Sequence, residues 1–249
     1  MVDDLPIWLA HAKSLGMRTM FCTSGRRLKE RSDEIAPLTD RLIISLEAIG
    51  VRQDEIRRTK GLFKKIVAGL MRFKERSSSE IIIWSHINRE NQDEVERIAQ
   101  FAQDLRIKVE FFPTTTYCGY NEAIILDDSA RSEIFNTIKK LKRSGYPINN
   151  TWYALELMRS HRKFQCNIPR LSIQVYPDGM VYPCESRMIP DIRPYGHING
   201  IDLKRLTSSM VFREESQRLK ECNSCLLPCV AHLSDFLLMQ GVRKITGVP

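Results

Sequence analysis

The sequence predicts an α/β fold with parallel strands, followed by a smaller α+β region that contains a β-hairpin. In the first half, short β-rich runs alternate with amphipathic helical patterns, as they do in βαβ units. In the second half, turn residues separate two β-rich runs, and cysteines flank them. We predict an α/β region over residues 1–128, a helical connector over 129–165 and a cysteine-rich region over 166–249.

Helices and strands alternate in the first region. The opening stretch predicts a helix that ends near Gly16, with one apolar face formed by Leu5, Trp8, Leu9, Ala12 and Leu15. Strands are predicted at residues 17–22, 41–46, 80–87 and 108–112, and helices at 61–75 and 91–105. Because parallel strands gather their carboxyl ends at one edge, we expect functional side chains there.

The second half begins with helical patterns around Ile134 and Trp152. The runs "SIQVY" and "MVYPC" are then joined by Pro177-Asp178-Gly179, in which proline fixes φ and glycine takes a positive φ. This hairpin brings Cys166 and Cys184 toward the same end. A helix predicted around residues 203–220 leads to Cys222 and Cys225.

Composition restricts the class of protein. With 249 residues, 43% of them hydrophobic and 27% charged, the chain has ordinary globular composition. We find no leader and no bilayer-length apolar run, so we expect a soluble, cytoplasmic protein. In a reducing compartment, seven cysteines indicate metal or redox chemistry rather than disulfides.

The net charge of +8 does not by itself indicate a nucleic-acid-binding protein. Basic residues are interleaved with acidic ones, for example in "DEIRRTKGLFKK", as on solvated helix faces. We find no aromatic-basic stripe and no recognition helix, so we do not expect nucleic acid to be a partner.

A set of strand-end motifs resembles a known family. In order along the chain they are "TMFCTSG" (19–25), "LIISLEAIG" (42–50), "DEIRRTKGLFKKIVAGL" (54–70), "HINRENQDEVERIAQFA" (86–102) and "IKVEFFPT" (107–114). Together they resemble the third to sixth strand regions of radical S-adenosylmethionine (radical SAM) enzymes. The resemblance implies a partial radical SAM-type (β/α) barrel, with Thr23, Ser24, Ser45 and Glu47 contacting S-adenosylmethionine. Ser24 and Glu47 depart from the residues that the family commonly has there.

The family's catalytic cluster motif, CxxxCxxC, and its Gly-Gly-Glu-Pro stretch are absent from the sequence. In a complete relative, the catalytic cluster and S-adenosylmethionine generate a 5'-deoxyadenosyl radical that abstracts a hydrogen atom from the substrate. We therefore expect this chain to be inactive alone. Its first strand would lack a preceding neighbour, so we expect either a truncated product or an N-terminal half supplied by another chain or upstream reading frame.

The order Cys166, hairpin, Cys184, "YGHI" and Cys222-x-x-Cys225 resembles the auxiliary-cluster domain of the SPASM or twitch type. The resemblance implies that these four cysteines hold one 4Fe-4S cluster, with Cys229 as an alternative fourth ligand. A structural zinc site with four thiolates is a second interpretation, since the spacing suits it too.

The remaining thiols are given structural roles. We interpret Cys22 as a small buried hydrophobe and Cys118 as a free or packing cysteine. The alternative function is a non-catalytic iron-sulfur or zinc module that serves interaction or electron transfer. The substrate cannot be inferred from the sequence.

Overall fold

A computed structural model describes residues 2–115, 121–160, 164, 166–184, 191–220 and 222. The chain divides into two compact units, Met1–Phe112 with Asn136–Asn150, and Pro113–Phe135 with Thr151–Pro249. The predicted fold class is confirmed, with a parallel sheet in the first unit and a small antiparallel sheet in the second. Within the described ranges, no helix is long and apolar enough to cross a membrane.

The first unit contains a four-stranded sheet in the order β1-β2-β3-β4. Its strands are β1 (Met20–Thr23), β2 (Arg41–Ser45), β3 (Glu80–Ile87) and β4 (Lys108–Pro113). Parallel pairing sets Thr23 opposite Ile44, and Ser45 opposite Trp84. All four predicted strands are present, and β1 lies at an edge of the sheet.

Helices precede and connect the strands of this sheet. They are α1 (Leu5–Ser14), α2 (Leu28–Ile35), α3 (Val51–Ile56), α4 (Leu62–Arg76) and α5 (Val95–Asp104). Gly69 lets α2 and α4 approach closely, because a Cβ at this position would lie 2.8 Å from the Cβ of Leu28. Close packing of this kind leaves no room for a larger side chain.

The predicted helix α1 is confirmed, and its apolar face is only partly buried. Leu9 is buried, whereas Trp8 and Leu15 are 57% and 60% exposed. Ile7, Met17 and Met20 are exposed nearby in sequence. Helical periodicity identified the apolar face, but no described part of the first unit covers Trp8 or Leu15.

The second unit is organised around a short hairpin. Its elements are α7 (Trp152–Ser160), α8 (Ile168–Leu171), β5 (Gln174–Val175), β6 (Met180–Tyr182), β7 (Gly196–His197) and α9 (Met210–Lys220), while α6 (Asp128–Arg143) contributes to both units. Gly179 has a φ of +81°, and a Cβ there would collide with Nε2 of His197. The predicted turn glycine is therefore required by conformation and by space.

The start of α4 is held by a side chain from α3. Asp54 accepts hydrogen bonds from the backbone N–H groups of Gly61 and Phe63, at 2.5 and 2.8 Å. These donors belong to the first turn of α4, where backbone N–H groups have no partner within the helix. A carboxylate there also interacts favourably with the helix dipole.

We expect Asp54→Ala to lower the free energy of unfolding by about 2 kcal/mol, because two charge-assisted hydrogen bonds at a helix start are lost. Urea denaturation followed by circular dichroism would measure this. Glu55→Ala removes a neighbouring exposed carboxylate and serves as the control. Equal stability of the two variants would contradict this role for Asp54.

Candidate functional site

The carboxyl ends of β1 and β2 bring two predicted cofactor residues to one edge of the sheet. Thr23 ends β1 and Ser45 ends β2. The Oγ1 of Thr23 accepts a hydrogen bond from the backbone N–H of Gly25 at 3.2 Å, which closes the turn after the strand. Ser24 is exposed in that turn. Thr23, Ser24 and Ser45 thus lie at the same edge, as expected for parallel strands.

One face of the sheet carries polar side chains. Alternation along the strands places Cys22, Ser45 and Trp84 on this face. Trp84 donates a hydrogen bond from Nε1 to the buried carboxylate of Glu110 at 2.7 Å. Asn149 donates to the second oxygen of the same carboxylate. This face therefore offers hydroxyl, indole and carboxylate groups in place of a continuous apolar surface.

The amino-terminal edge of the same face carries an ionic cluster. The carboxylate of Glu80 accepts from Arg41 at 2.5 Å and from Lys108 at 2.7 Å. Although burial raises the pKa of Glu80, these two cations lower it below its usual value overall. The carboxylate thus stays charged, and it neutralises two cations on neighbouring strands.

Cys22 is not a buried hydrophobe, as the sequence suggested, but an exposed residue of the edge strand. Its Sγ lies 3.6 Å from the Oγ of Ser45. Protein atoms around the sulfur raise the thiol's pKa by desolvation, an effect that Ser45 and Arg57 partly offset. The thiol is therefore protonated near neutral pH, and it gives the strand ends a weak donor rather than a thiolate.

Glu47 lies at the centre of a hydrogen-bonded network just beyond β2. Its side chain is buried, and its carboxylate accepts from Nε of Arg57 at 2.7 Å, from Nη2 of Arg57 and from Nε2 of Gln53 at 3.2 Å. The Oε1 of Gln53 accepts hydrogen bonds from the backbone N–H groups of Glu47 and Ala48. Both carboxylate oxygens are thus engaged by the protein itself.

Two further side chains lie at this edge of the sheet. Asn91 donates from Nδ2 to the carbonyls of Glu47 and His86, both at 2.9 Å, and so connects the ends of β2 and β3. Burial lowers the pKa of the half-buried His86, with Glu47 and Arg57 acting in opposite directions on it. His86 is therefore a neutral imidazole at pH 7.

Arg57, Gln53 and Asn91 were not among the predicted site residues. The stretch "DEIRRTKGLFKK" reads as a solvated charged face, yet Arg57 pairs with a buried carboxylate. An unpaired acidic residue at a strand end, here Glu47, was the available signal that a cation must lie nearby.

The cysteines of the second unit are only partly brought together by the described residues. The backbone N–H of Cys166 donates to the carbonyl of Lys220 at 3.1 Å, and that of Cys222 donates to Leu219 at 3.0 Å. Burial raises the pKa of the Cys166 thiol, and the nearby Cys222 raises it further. These two predicted ligands therefore meet at the end of α9.

Cys184 follows β6 and is half-buried. Among the described residues, no three His, Cys, Asp or Glu side chains are close enough together to hold a metal ion. The predicted ligand Cys225, its alternative Cys229, and Cys118 lie outside the described residues. The donor set of soft thiolates fits an iron-sulfur cluster, and Cys166 and Cys222, whose backbones both bond to the end of α9, would supply two of its ligands.

His197, adjacent to the hairpin, is used structurally. Its Nδ1 accepts a hydrogen bond from the backbone N–H of Asn199 at 3.2 Å, and its ring packs over Gly179. The Nδ1 of His197 is therefore used to hold the backbone after β7.

Comparison with solved structures identifies the fold. The structure of anSMEcpe with bound AdoMet and Cp18Cys peptide matches with a TM-score of 0.64 at 15% identity, covering 86% of this chain and 65% of that one. The fold is radical SAM-like. The structure of anSMEcpe with bound AdoMet alone gives a TM-score of 0.62, and that with Kp18Cys peptide gives 0.59, also at 15% identity. The chain thus spans about 65% of the length of these radical SAM-like neighbours.

The similarity to these proteins lies in the structure, and the sequence identity is low. No protein-family model matches the chain, and no curated protein matches it. The short strand-end motifs suggested the radical SAM-like fold, and the comparison of backbones shows it at a sequence identity of only 15%.

We expect Glu47 and Arg57 to be coupled by about 1–2 kcal/mol in a double-mutant cycle of Glu47→Gln, Arg57→Met and the double variant. Each single change leaves the other polar group without its partner, so the losses are not additive. Urea denaturation measures all four proteins. Glu96→Gln, an exposed carboxylate, should show no coupling with Arg57→Met; the same absence for Glu47 would contradict the network.

Proposed function

We propose that the chain is a radical SAM-like iron-sulfur protein that binds one auxiliary 4Fe-4S cluster through Cys166, Cys184, Cys222 and Cys225. The observation that carries this proposal is the proximity of Cys166 and Cys222 at the end of α9. The backbone N–H groups of both cysteines donate hydrogen bonds to carbonyls of α9, and these bonds fix the backbone at both positions. Ligands fixed in this way lose little conformational freedom when a cluster binds.

The chemistry of the thiols supports a metal centre in a reducing compartment. A raised pKa keeps the Cys166 thiol protonated until a metal displaces the proton, so loading should release protons. Four thiolates suit a 4Fe-4S cluster, and they also suit a structural zinc ion. We favour the cluster and a cytoplasmic location because the fold is radical SAM-like.

We further propose that the strand ends bind S-adenosylmethionine weakly. The neighbouring structures contain AdoMet. In this chain, Thr23, Ser24 and Ser45 lie at the carboxyl edge of the parallel sheet, and Glu47 lies just beyond β2. The hydroxyl of Ser45 can donate or accept a hydrogen bond there. Arg57 uses Nε and Nη2 for Glu47, which leaves Nη1 without a partner among the described residues and available to a carboxylate.

An N-terminal half supplied by another chain or upstream reading frame would complete the sheet. Support comes from β1, which is an edge strand with exposed Met20, and from the exposed Trp8, Leu15 and Met17 beside it in sequence. An apolar edge of this kind favours association through added strands.

We expect anaerobically purified protein to be brown and to carry about four iron atoms with acid-labile sulfide, as a 4Fe-4S cluster requires. Separate Ala variants of Cys166, Cys184, Cys222 and Cys225 should lose the cluster. Iron and sulfide analysis with absorption spectroscopy measures both outcomes.

Cys22→Ala and Cys118→Ala are the matched controls and should retain the cluster. A colourless protein with one zinc ion per chain would refute the iron-sulfur proposal and support the non-catalytic zinc module. Loss of the cluster in Cys229→Ala, but not in Cys225→Ala, would reassign the fourth ligand.

We expect the reconstituted chain to bind S-adenosylmethionine weakly and to produce no 5'-deoxyadenosine. Radical formation in this family needs the open iron of a CxxxCxxC cluster, whereas Ser45 and its neighbours contribute hydrogen bonds of about 1 kcal/mol each. Saturation-transfer NMR measures binding, and chromatography of the reduced mixture measures cleavage.

Ser45→Ala and Arg57→Lys should weaken this binding, while Glu96→Gln should leave it unchanged. Formation of 5'-deoxyadenosine by the chain alone, above a protein-free control, would overturn the proposal that it is incomplete. Recovery of cleavage on co-expression with a segment that encodes CxxxCxxC and Gly-Gly-Glu-Pro would support a partner at the β1 edge.

A further inference from the structure

A cavity lies at the amino-terminal edge of the four-stranded sheet, where β3 and β4 begin. Its volume is about 330 Å³, which falls within the usual range for small-molecule sites. Glu80 and Lys108, the first residues of the two strands, line it together with the serine-rich segment after α4 and the chain after α5. The cavity therefore lies at the opposite end of the strands from Thr23 and Ser45.

The charge of this cavity is mainly positive. Three of its lining residues are cationic, Lys74, Arg106 and Lys108, and one is acidic, Glu80. The acidic side chain is already neutralised, because Glu80 accepts from Lys108 at 2.7 Å and also from Arg41 of β2. The cavity therefore retains a net positive charge, which favours an anion.

The cations keep donors that the protein does not use. Each lysine ammonium has more N–H donors than its described contact needs, which is the carbonyl of Leu105 for Lys74 and the carboxylate of Glu80 for Lys108. The bond from Lys74 also offsets the partial negative charge at the end of α5. The guanidinium of Arg106 has no hydrogen-bond or ion-pair partner among the described residues. Its donors are thus available to a ligand.

Arg106 occupies a backbone position at which glycine is usual. It follows Leu105, the C-cap residue of α5, and its φ of +52° lies in the left-handed region. Glycine adopts this conformation without strain, whereas a residue with a Cβ does not. Termination of the helix therefore does not by itself account for an arginine here.

Serine hydroxyl groups complete the polar lining. The hydroxyl of Ser79 donates to the carbonyl of Thr39 and contacts that of Ser77, so the protein itself occupies these two serines. Ser78 lies between them and is exposed, and its hydroxyl makes no hydrogen bond within the described ranges. Arginine, lysine and a hydroxyl donor together suit the oxygens of a phosphate group.

We propose that this cavity binds a phosphate group, either inorganic phosphate or the phosphate of a small monoester, through Arg106, Lys74, Lys108 and Ser78. The planar guanidinium of Arg106 can donate to two phosphate oxygens at once, and the lysines supply point charges. The proposal does not depend on the iron-sulfur cluster, because every residue that lines the cavity belongs to the first unit.

The test is a titration of the full-length chain with inorganic phosphate at constant ionic strength, with sodium chloride as the balancing salt. Phosphate should broaden its own phosphorus NMR signal saturably and raise the melting temperature, because a ligand that binds only the folded chain stabilises it. Glycerol phosphate is titrated in the same way. Tighter binding of glycerol phosphate would identify a monoester as the ligand, and tighter binding of inorganic phosphate would identify the free ion.

Arg106→Gly is the decisive variant, because it removes the guanidinium and relieves the backbone. It should fold as stably as the wild type and bind phosphate about tenfold more weakly, since charge-assisted hydrogen bonds are lost. Arg58→Gly is the matched control. Arg58 is also exposed and has a positive φ of +48°, but it lies between α3 and α4 and does not line the cavity. Its replacement removes the same charge and should leave phosphate binding unchanged.

The outcomes that contradict the site are distinct from those that contradict a cluster, since none of them concerns iron or sulfide. Absence of saturable phosphate binding by the wild-type chain would overturn the proposal. Equal loss of affinity in Arg106→Gly and Arg58→Gly would also overturn it, because net charge alone would then explain the binding. If Arg106→Gly does not fold, Lys74→Gln decides: weaker binding supports the site, and unchanged binding overturns it.

Discussion

The buried carboxylate of Glu47 imposes the constraint on which the first unit depends. A charge removed from water costs several kcal/mol unless it is paired and hydrogen-bonded. Arg57 and Gln53 supply that compensation, and Gln53 belongs to α3. The need to neutralise one side chain therefore fixes α3 against the end of β2.

The position of α3 in turn determines where the next helix begins. Asp54 lies on the same short helix, and its carboxylate closes the first turn of α4. With α4 in place, Gly69 gives Leu28 room to pack, and α2 is held against α4. One ion pair just beyond β2 thus helps to set the positions of α3 and α4, and through α4 that of α2.

The sequence predicted the elements whose side chains show a local hydrophobic pattern. It missed elements that are held mainly by contacts with residues distant in the sequence. The strands β2, β3 and β4 follow from runs of β-branched and aromatic residues. Helix α2, "LKERSDEI", has few apolar positions, and its buried Arg31 is held by the backbone carbonyls of Val2 and Asp3. Such a contact across the chain leaves no local periodicity from which to predict a helix.

The residues of the candidate site were likewise predicted only in part. The resemblance of the strand-end motifs to radical SAM enzymes was enough to select Thr23, Ser24, Ser45 and Glu47 as residues at one edge of the sheet. It could not show that Glu47 is occupied by Arg57, or that Cys22 is exposed beside Ser45, because both depend on which residues are neighbours in space.

The edge strand β1 differs physically from the strands after it. In β2 the central residues Leu42, Ile43 and Ile44 are all buried, as in a strand paired on both sides, whereas β1 alternates between exposed and half-buried positions. Solvent-facing edges are usually protected by lysine, proline or a bulge, yet β1 reads "MFCT" and carries no charge or proline. Its residues suit a strand that is covered, and the exposed Trp8 and Leu15 of the preceding segment have the same character. The β1 edge thus lacks the charges and prolines that protect most exposed edges, while Ser45, Trp84 and Glu110 of the other strands present polar groups on one face of the same sheet.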